Sequence, residues 1–164
     1  MHPPSSPVSV AALSPEEKEA FHRDAEKRIQ TFKYAKPTGS GRVKDAVHLA
    51  KGQILRLHVQ IVKEGGENNL HYHTGSETIW MVVKGRSRFY GPGDALLGEF
   101  GPMEGLIIPG GGRYWFEKVG DEELEIMQTV GYDRREGAQE QRINVEQHKD
   151  WMVEKHLQIY EPAK

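Results

Sequence analysis

The chain of 164 residues is the size of one domain, and its 22 Lys and Arg against 24 Asp and Glu leave a net charge of −2. That balance excludes a basic surface for nucleic acid or an anionic membrane, and the absence of Cys excludes disulfide scaffolds, cysteine nucleophiles, thiolate zinc and iron–sulfur chemistry. Catalysis or metal binding therefore falls to Asp, Glu, Tyr and the 8 His.

About the first dozen residues, rich in Pro and Ser, read as an arm, mobile or lent to a neighbour as a strand. They lack the positive n-region of a signal peptide, and no apolar run reaches the ~18 residues of a membrane span, so a soluble, cytoplasmic protein is expected. Ser14-Pro15-Glu16-Glu17 has the form of a capping box. Phe21, Ala25 and Ile29 then recur at every fourth position, which predicts an amphipathic helix to about residue 31 with its stripe resting on the main body. Beyond the Pro37–Gly41 loop the period changes to two. Leu55, Leu57, Val59 and Ile61 alternate with Arg56, His58 and Gln60. Further strands are predicted at Asn69–His73, Thr78–Lys84, Ser87–Tyr90, Ala95–Glu99, Leu106–Pro109, Tyr114–Val119 and Leu124–Tyr132, punctuated by many of the 18 Gly. Evenly spaced short strands with Gly turns indicate an all-β antiparallel sandwich or barrel over residues 41–135. Residues 1–40 are then the arm and helix packed on it, and 136–164 a strand and short packed helix extending the same domain.

One constellation is dense in chemistry: Gly65-Gly66-Glu67-Asn68-Asn69-Leu70-His71-Tyr72-His73-Thr74-Gly75-Ser76-Glu77. On a strand, His71 and His73 project from the same face. Glu77 follows beyond a small turn and can swing back towards them. Two neutral imidazoles and a carboxylate on one side of a divalent ion leave positions open for water, oxygen or substrate.

The spacing Gly-x5-His-x-His-x3-Glu, followed by an apolar strand to Gly85, resembles the first motif of the cupin superfamily. Downstream, Ile108-Pro109-Gly110-Gly111-Gly112-Arg113-Tyr114-Trp115-Phe116 resembles the second, a Pro-x-Gly turn opening a strand. The resemblance covers roughly residues 55–132. It implies a small single-domain jelly-roll barrel of the RmlC-like kind, with any metal bound inside its wider end. Two departures touch the metal. The second motif's usual His is replaced by Tyr114, a phenol that either ligates, contacts substrate or a metal-bound water, or packs. Counting back from Gly85 puts Thr78, not Glu77, at the usual ligand position, so Glu77 ligates only if a bulge absorbs the offset. The expected set is His71, His73 and Glu77 on the metal with Tyr114 catalytic.

Weaker candidates for a substrate pocket are His58, Arg88, Tyr90 and Arg113. The leading functional expectation is a metal-dependent enzyme acting on a small organic molecule. Fe(II) is the first choice of ion, with Zn, Mn or Ni as alternatives, and dioxygenase-type oxidation the first choice of reaction. A metal-assisted lyase, isomerase or decarboxylase, or a non-catalytic binding module, is the alternative. Since small jelly rolls bury sheet edges by pairing, a homodimer is expected.

Overall fold

The computed structural model describes residues 9–38 and 41–152 and the backbone of 158–160. These divide into two compact units, up to Thr31 and from Phe32 onward. In the first, α1 (Pro15–Glu26) starts at the capping box: the Ser14 hydroxyl accepts from the Glu17 amide at 3.2 Å, and the Glu17 carboxylate accepts from the Ser14 amide at 2.8 Å. The helix stops at Glu26, about a turn short of the expected end. Arg28 and Ile29 donate instead to Ala25 and Glu26, three residues back, and the β-branched Ile29 and Thr31 that follow are weak helix formers. No described helix is long and apolar enough to cross a membrane.

The second unit is built from strands. They are β1 (Lys44–Lys51), β2 (Leu55–Val62), β3 (His71–His73), β4 (Ser76–Lys84), β5 (Arg86–Tyr90) and β6 (Leu96–Phe100). After them come β7 (Gly105–Ile108), β8 (Trp115–Val119), β9 (Leu124–Tyr132), β10 (Arg142–Asn144) and β11 (Gln158–Tyr160). The larger sheet has the order β11-β1-β2-β9-β4-β7, antiparallel except for the β1–β11 pair. Opposite it lie β10-β3 and β6-β5-β8, joined by a bridge between His71 and Tyr114 whose amides and carbonyls bond at 3.1 and 3.0 Å. The expected C-terminal helix has no counterpart among the described residues. Gln158–Tyr160 are a strand, and residues 153–157 lie outside the described residues.

Both sheets feed one core: Trp80, Val82, Val62, Leu124, Ile126 and Ile108 from the larger, Phe89, Phe116 and Tyr114 from the smaller. Burying these side chains supplies roughly 1.5–3 kcal/mol each, which fixes the register of the strands that carry them. A second cluster (Val47, Leu49, Val59, Ile61) covers the back of β1 and β2 under Tyr34, whose hydroxyl donates to Glu125. The Gly65–Asn69 loop is pinned by its own polar side chains. Buried Glu67 accepts from the amides of Gly65 (2.8 Å) and Lys118 (3.3 Å), and Asn68 accepts from that of Phe116 at 2.8 Å. This loop delivers the chain into β3, where the histidines sit.

Candidate functional site

His71 and His73 share a face of β3, with ring centres 5.3 Å apart and planes crossed at 80°. Each ring is held through Nδ1. His71 Nδ1 lies 2.7 Å from the Asn69 carbonyl, so that nitrogen donates and Nε2 keeps its lone pair. His73 Nδ1 lies 2.5 Å from a Glu140 oxygen, and the other oxygen of Glu140 accepts from the Gly75 amide at 3.0 Å. Anchoring Nδ1 on a carbonyl and a carboxylate is how metal-ligating histidines are oriented, and it also suits a His–carboxylate proton shuttle. His71 is 2% exposed, and burial, with the charge of Arg142, pulls its pKa down to about 3. Its imidazole is neutral at physiological pH.

β10 completes the site. In its register Arg142 lies opposite His73 and Asn144 opposite His71. The Arg142 guanidinium donates to Asn144 and, at 2.6 Å, to Asn69, while the Asn69 amide donates to Asn144 (3.0 Å) and the Glu146 carbonyl (2.7 Å). Sequence reasoning misses Glu140, Arg142, Asn69 and Asn144 as site residues. The signal available is the every-second-residue spacing of Glu140, Arg142 and Asn144 within a polar tail.

Tyr114 lies beneath the histidines: its ring centre is 4.6 Å from that of His71 and it is 1% exposed. Its hydroxyl accepts from the Trp80 indole at 3.3 Å, and burial pushes its pKa up to about 12. A phenol so enclosed stands against His71 as a neutral group. Glu77 does not join them, which corrects its placement as a ligand. Along β4, Ser76, Thr78, Trp80 and Val82 are buried, whereas Glu77 is exposed on the opposite face in a row with Gly131 and Leu55. A register shift does fall between Val82 and Lys84, within the stretch that ends at Gly85, but it leaves Ser76 and Thr78 facing inward and Glu77 outward. Arg88 and Tyr90 also leave the pocket. Phe89 points into the core, so they face outward, Arg88 to Glu99 (2.7 Å) and Tyr90 to Glu117 (2.6 Å) and the face of Trp115. Arg113 is exposed in the turn before Tyr114.

His58 lies inside, on the polar face of β2, because the apolar face with Val59 and Ile61 packs in the second cluster. The register aligns His48, His58, Gln128 and Trp80 in one row, and Trp80 is core. His58 is 8% exposed, its Nδ1 has no hydrogen-bond partner among the described residues, and burial lowers its pKa to about 4. An unfolded His, with a pKa near 6.5, takes up protons between these values while the folded one does not. Stability is therefore complete above pH ~6.5 and lost as pH falls towards 4, by on the order of 3 kcal/mol. Urea titrations at pH 7 and pH 5 are expected to show this loss, and His58→Gln to shrink it. An unchanged pH difference in the variant would contradict the assignment.

A cleft of about 610 Å³ opens elsewhere, on the side of Glu77, lined by Thr74, Glu77, Pro109, Tyr132, Asp133 and Arg135. Its Arg135 is clamped on Asp133 at 2.6 Å, and no histidine lines it. Chemistry concentrates at His71 and His73 instead. Those two supply nitrogen donors suited to a divalent ion, but among the described residues no group of three His, Cys, Asp or Glu could hold one. The donor set is thus reduced to two imidazoles and lacks the carboxylate of a two-His, one-carboxylate triad.

Solved structures share this architecture. A conserved protein of Klebsiella pneumoniae with a double-stranded β-helix domain is 15% identical, aligned over 75% of this chain and 96% of that one with a TM-score of 0.55. An RmlC-like cupin protein from Desulfovibrio desulfuricans is 19% identical over 60% of this chain and 95% of that one, with a TM-score of 0.49. No protein-family profile matches the chain, and no curated protein is significantly similar in sequence. The architecture is a double-stranded β-helix. More particularly, its two facing antiparallel sheets make it a jelly-roll barrel.

Proposed function

We propose that this chain is a cupin enzyme acting on a small organic molecule at a divalent metal ion held by His71 and His73. The observation that carries the reading is the anchoring of both Nδ1 atoms, on the Asn69 carbonyl and on Glu140, which leaves two neighbouring Nε2 atoms as donors. Bound there, the ion would supply Lewis acidity or oxygen activation. The chain's own part is to keep His71 neutral by burial, to fix His73 through Glu140, and to support His71 from below with Tyr114. With Glu77 on the outer face, the carboxylate that favoured Fe(II) over Zn, Mn or Ni is gone. Fe(II)-dependent oxidation is the first reaction to assay because open positions remain for oxygen and substrate, with lyase, isomerase or decarboxylase chemistry second.

A metal-free reading draws on the same His73–Glu140 pair at 2.5 Å, with His73 as a general acid or base. Elemental analysis of untagged protein separates the two. About one Fe, Zn, Mn or Ni per chain supports the metal site. Less than ~0.2 ion per chain, with no rise on adding these ions, sinks it and leaves the acid–base reading. We also propose a homodimer, since the outer face of the larger sheet exposes Ile79 and Ile107 side by side at register positions of β4 and β7. Sedimentation of the same sample as a monomer at micromolar concentration would count against it.

A further inference from the structure

The Arg142 guanidinium stands beside the histidine pair with its charge unbalanced. It lies opposite His73 on β10, solvent-accessible, and its described hydrogen-bond acceptors are the neutral side-chain oxygens of Asn69 and Asn144. The orientation of Asn69 is set independently of Arg142 by the Glu146 carbonyl, to which its amide nitrogen donates at 2.7 Å, so its oxygen is turned to the guanidinium. Two asparagines are thus used to position one cation. The nearby acid, Glu140, is spent on His73 and the Gly75 amide. Arg142 and Lys44 both bear electrostatically on His71, and Arg142 on Tyr114, so positive potential reaches the buried end of the site. Elsewhere on the barrel Arg86, Arg88 and Arg135 each meet a carboxylate, while Arg56 and Arg134 lie over the Tyr132 ring. Among the described residues Arg142 meets no carboxylate, and its two acceptors are side-chain amides beside the histidine pair.

We infer that Arg142 is the recognition group for the anionic head, a carboxylate or phosphate, of a small organic acid bound beside His71 and His73. A guanidinium fork presents parallel N–H donors that match the oxygens of such an anion, and Asn69 and Asn144 fix the fork before the ligand arrives. This assignment rests on reading the His71–His73 end as the substrate site, but not on the presence of a metal, which elemental analysis reads separately.

The test is a titration of the full chain, as purified, with acetate, benzoate and inorganic phosphate and with the neutral acetamide and benzamide, followed through the imidazole NMR resonances of His71 and His73. At least one anion is expected to shift them saturably, with its neutral counterpart at least roughly tenfold weaker. Acetate against phosphate tells which head group is preferred. Arg142→Gln is expected to weaken the anion roughly tenfold or more at unchanged metal content, and Arg142→Lys, which keeps the charge but not the fork, to fall between. No response to any anion, an equal response to the amides, or full anion affinity in Arg142→Gln overturns the assignment. The comparison of anion with amide is made on the unaltered protein, so it holds however well the variants fold.

Discussion

Metal content is expected to fall to background in His71→Ala, while Glu140→Gln keeps the ion but binds it roughly 10–100-fold more weakly. The difference follows from the two positions. His71 offers Nε2 directly, from a ring that is 2% exposed and whose burial keeps it neutral well below physiological pH. With only two imidazoles at the site, losing one leaves His73 alone, and a single exchangeable donor does not retain a divalent ion through purification. Glu140 acts one step removed, through His73 Nδ1 at 2.5 Å. A glutamine there still accepts from one nitrogen, so the ring keeps its orientation and loses only the basicity lent by the carboxylate. Elemental analysis at equal protein concentration and titration with a competing chelator read the two effects. Melting curves control for folding, since Ala at a buried site also removes packing against Tyr114. Metal retained in folded His71→Ala would remove these histidines from the site altogether.

What could be read from the sequence divides along the range of the interactions. Strands β2 and β4 to β9 were legible because alternation and glycine turns are local, and the core face of a strand is written into its own residues. β1 was not. Asp45, Ala46 and Val47 are buried in succession and a register shift falls between His48 and Ala50, so period two never runs cleanly through it. At the site, the His71–His73 pair was visible as a local pattern. The fate of Glu77 turned on a one-residue offset, which the burial of Ser76 and Thr78 decides against it. Glu140 and Arg142 reach the histidines and Asn69 across 67 and 73 residues of chain, through a β3–β10 pairing that no local pattern announces. Tyr114 was found from its motif, but its role depended on depth. The bridge to His71 places it behind that ring.

Gly105→Ala is expected to be the most damaging small substitution in the barrel, lowering stability by about 3 kcal/mol or more and the melting temperature by roughly 10 °C. A Cβ at this position would stand 1.8 Å from the Trp80 carbonyl oxygen and 2.9 Å from the Met81 Cα. Both neighbours are backbone of β4, so no side-chain rotation relieves the overlap. β7 must instead move off β4, and that strains the pairs Thr78–Ile108 through Met81–Gly105 together with the bonds from Val82 to Glu104 (2.9 Å) and from Met103 to Val82 (2.8 Å). Because β7 is an edge strand, the sheet has no further partner on that side to hold it in place. The displacement would also loosen Ile108, a core residue packed in the same cluster as Trp80 and Tyr114, and so reach the support beneath His71. Gly111→Ala is the proper contrast. There the backbone is left-handed at φ +81° but a Cβ meets nothing within 4 Å, so only the conformational penalty of about 1 kcal/mol applies. Urea midpoints for the two variants and the parent measure the difference. Equal midpoints for Gly105→Ala and Gly111→Ala would show that β7 does not pack on β4 as closely as described.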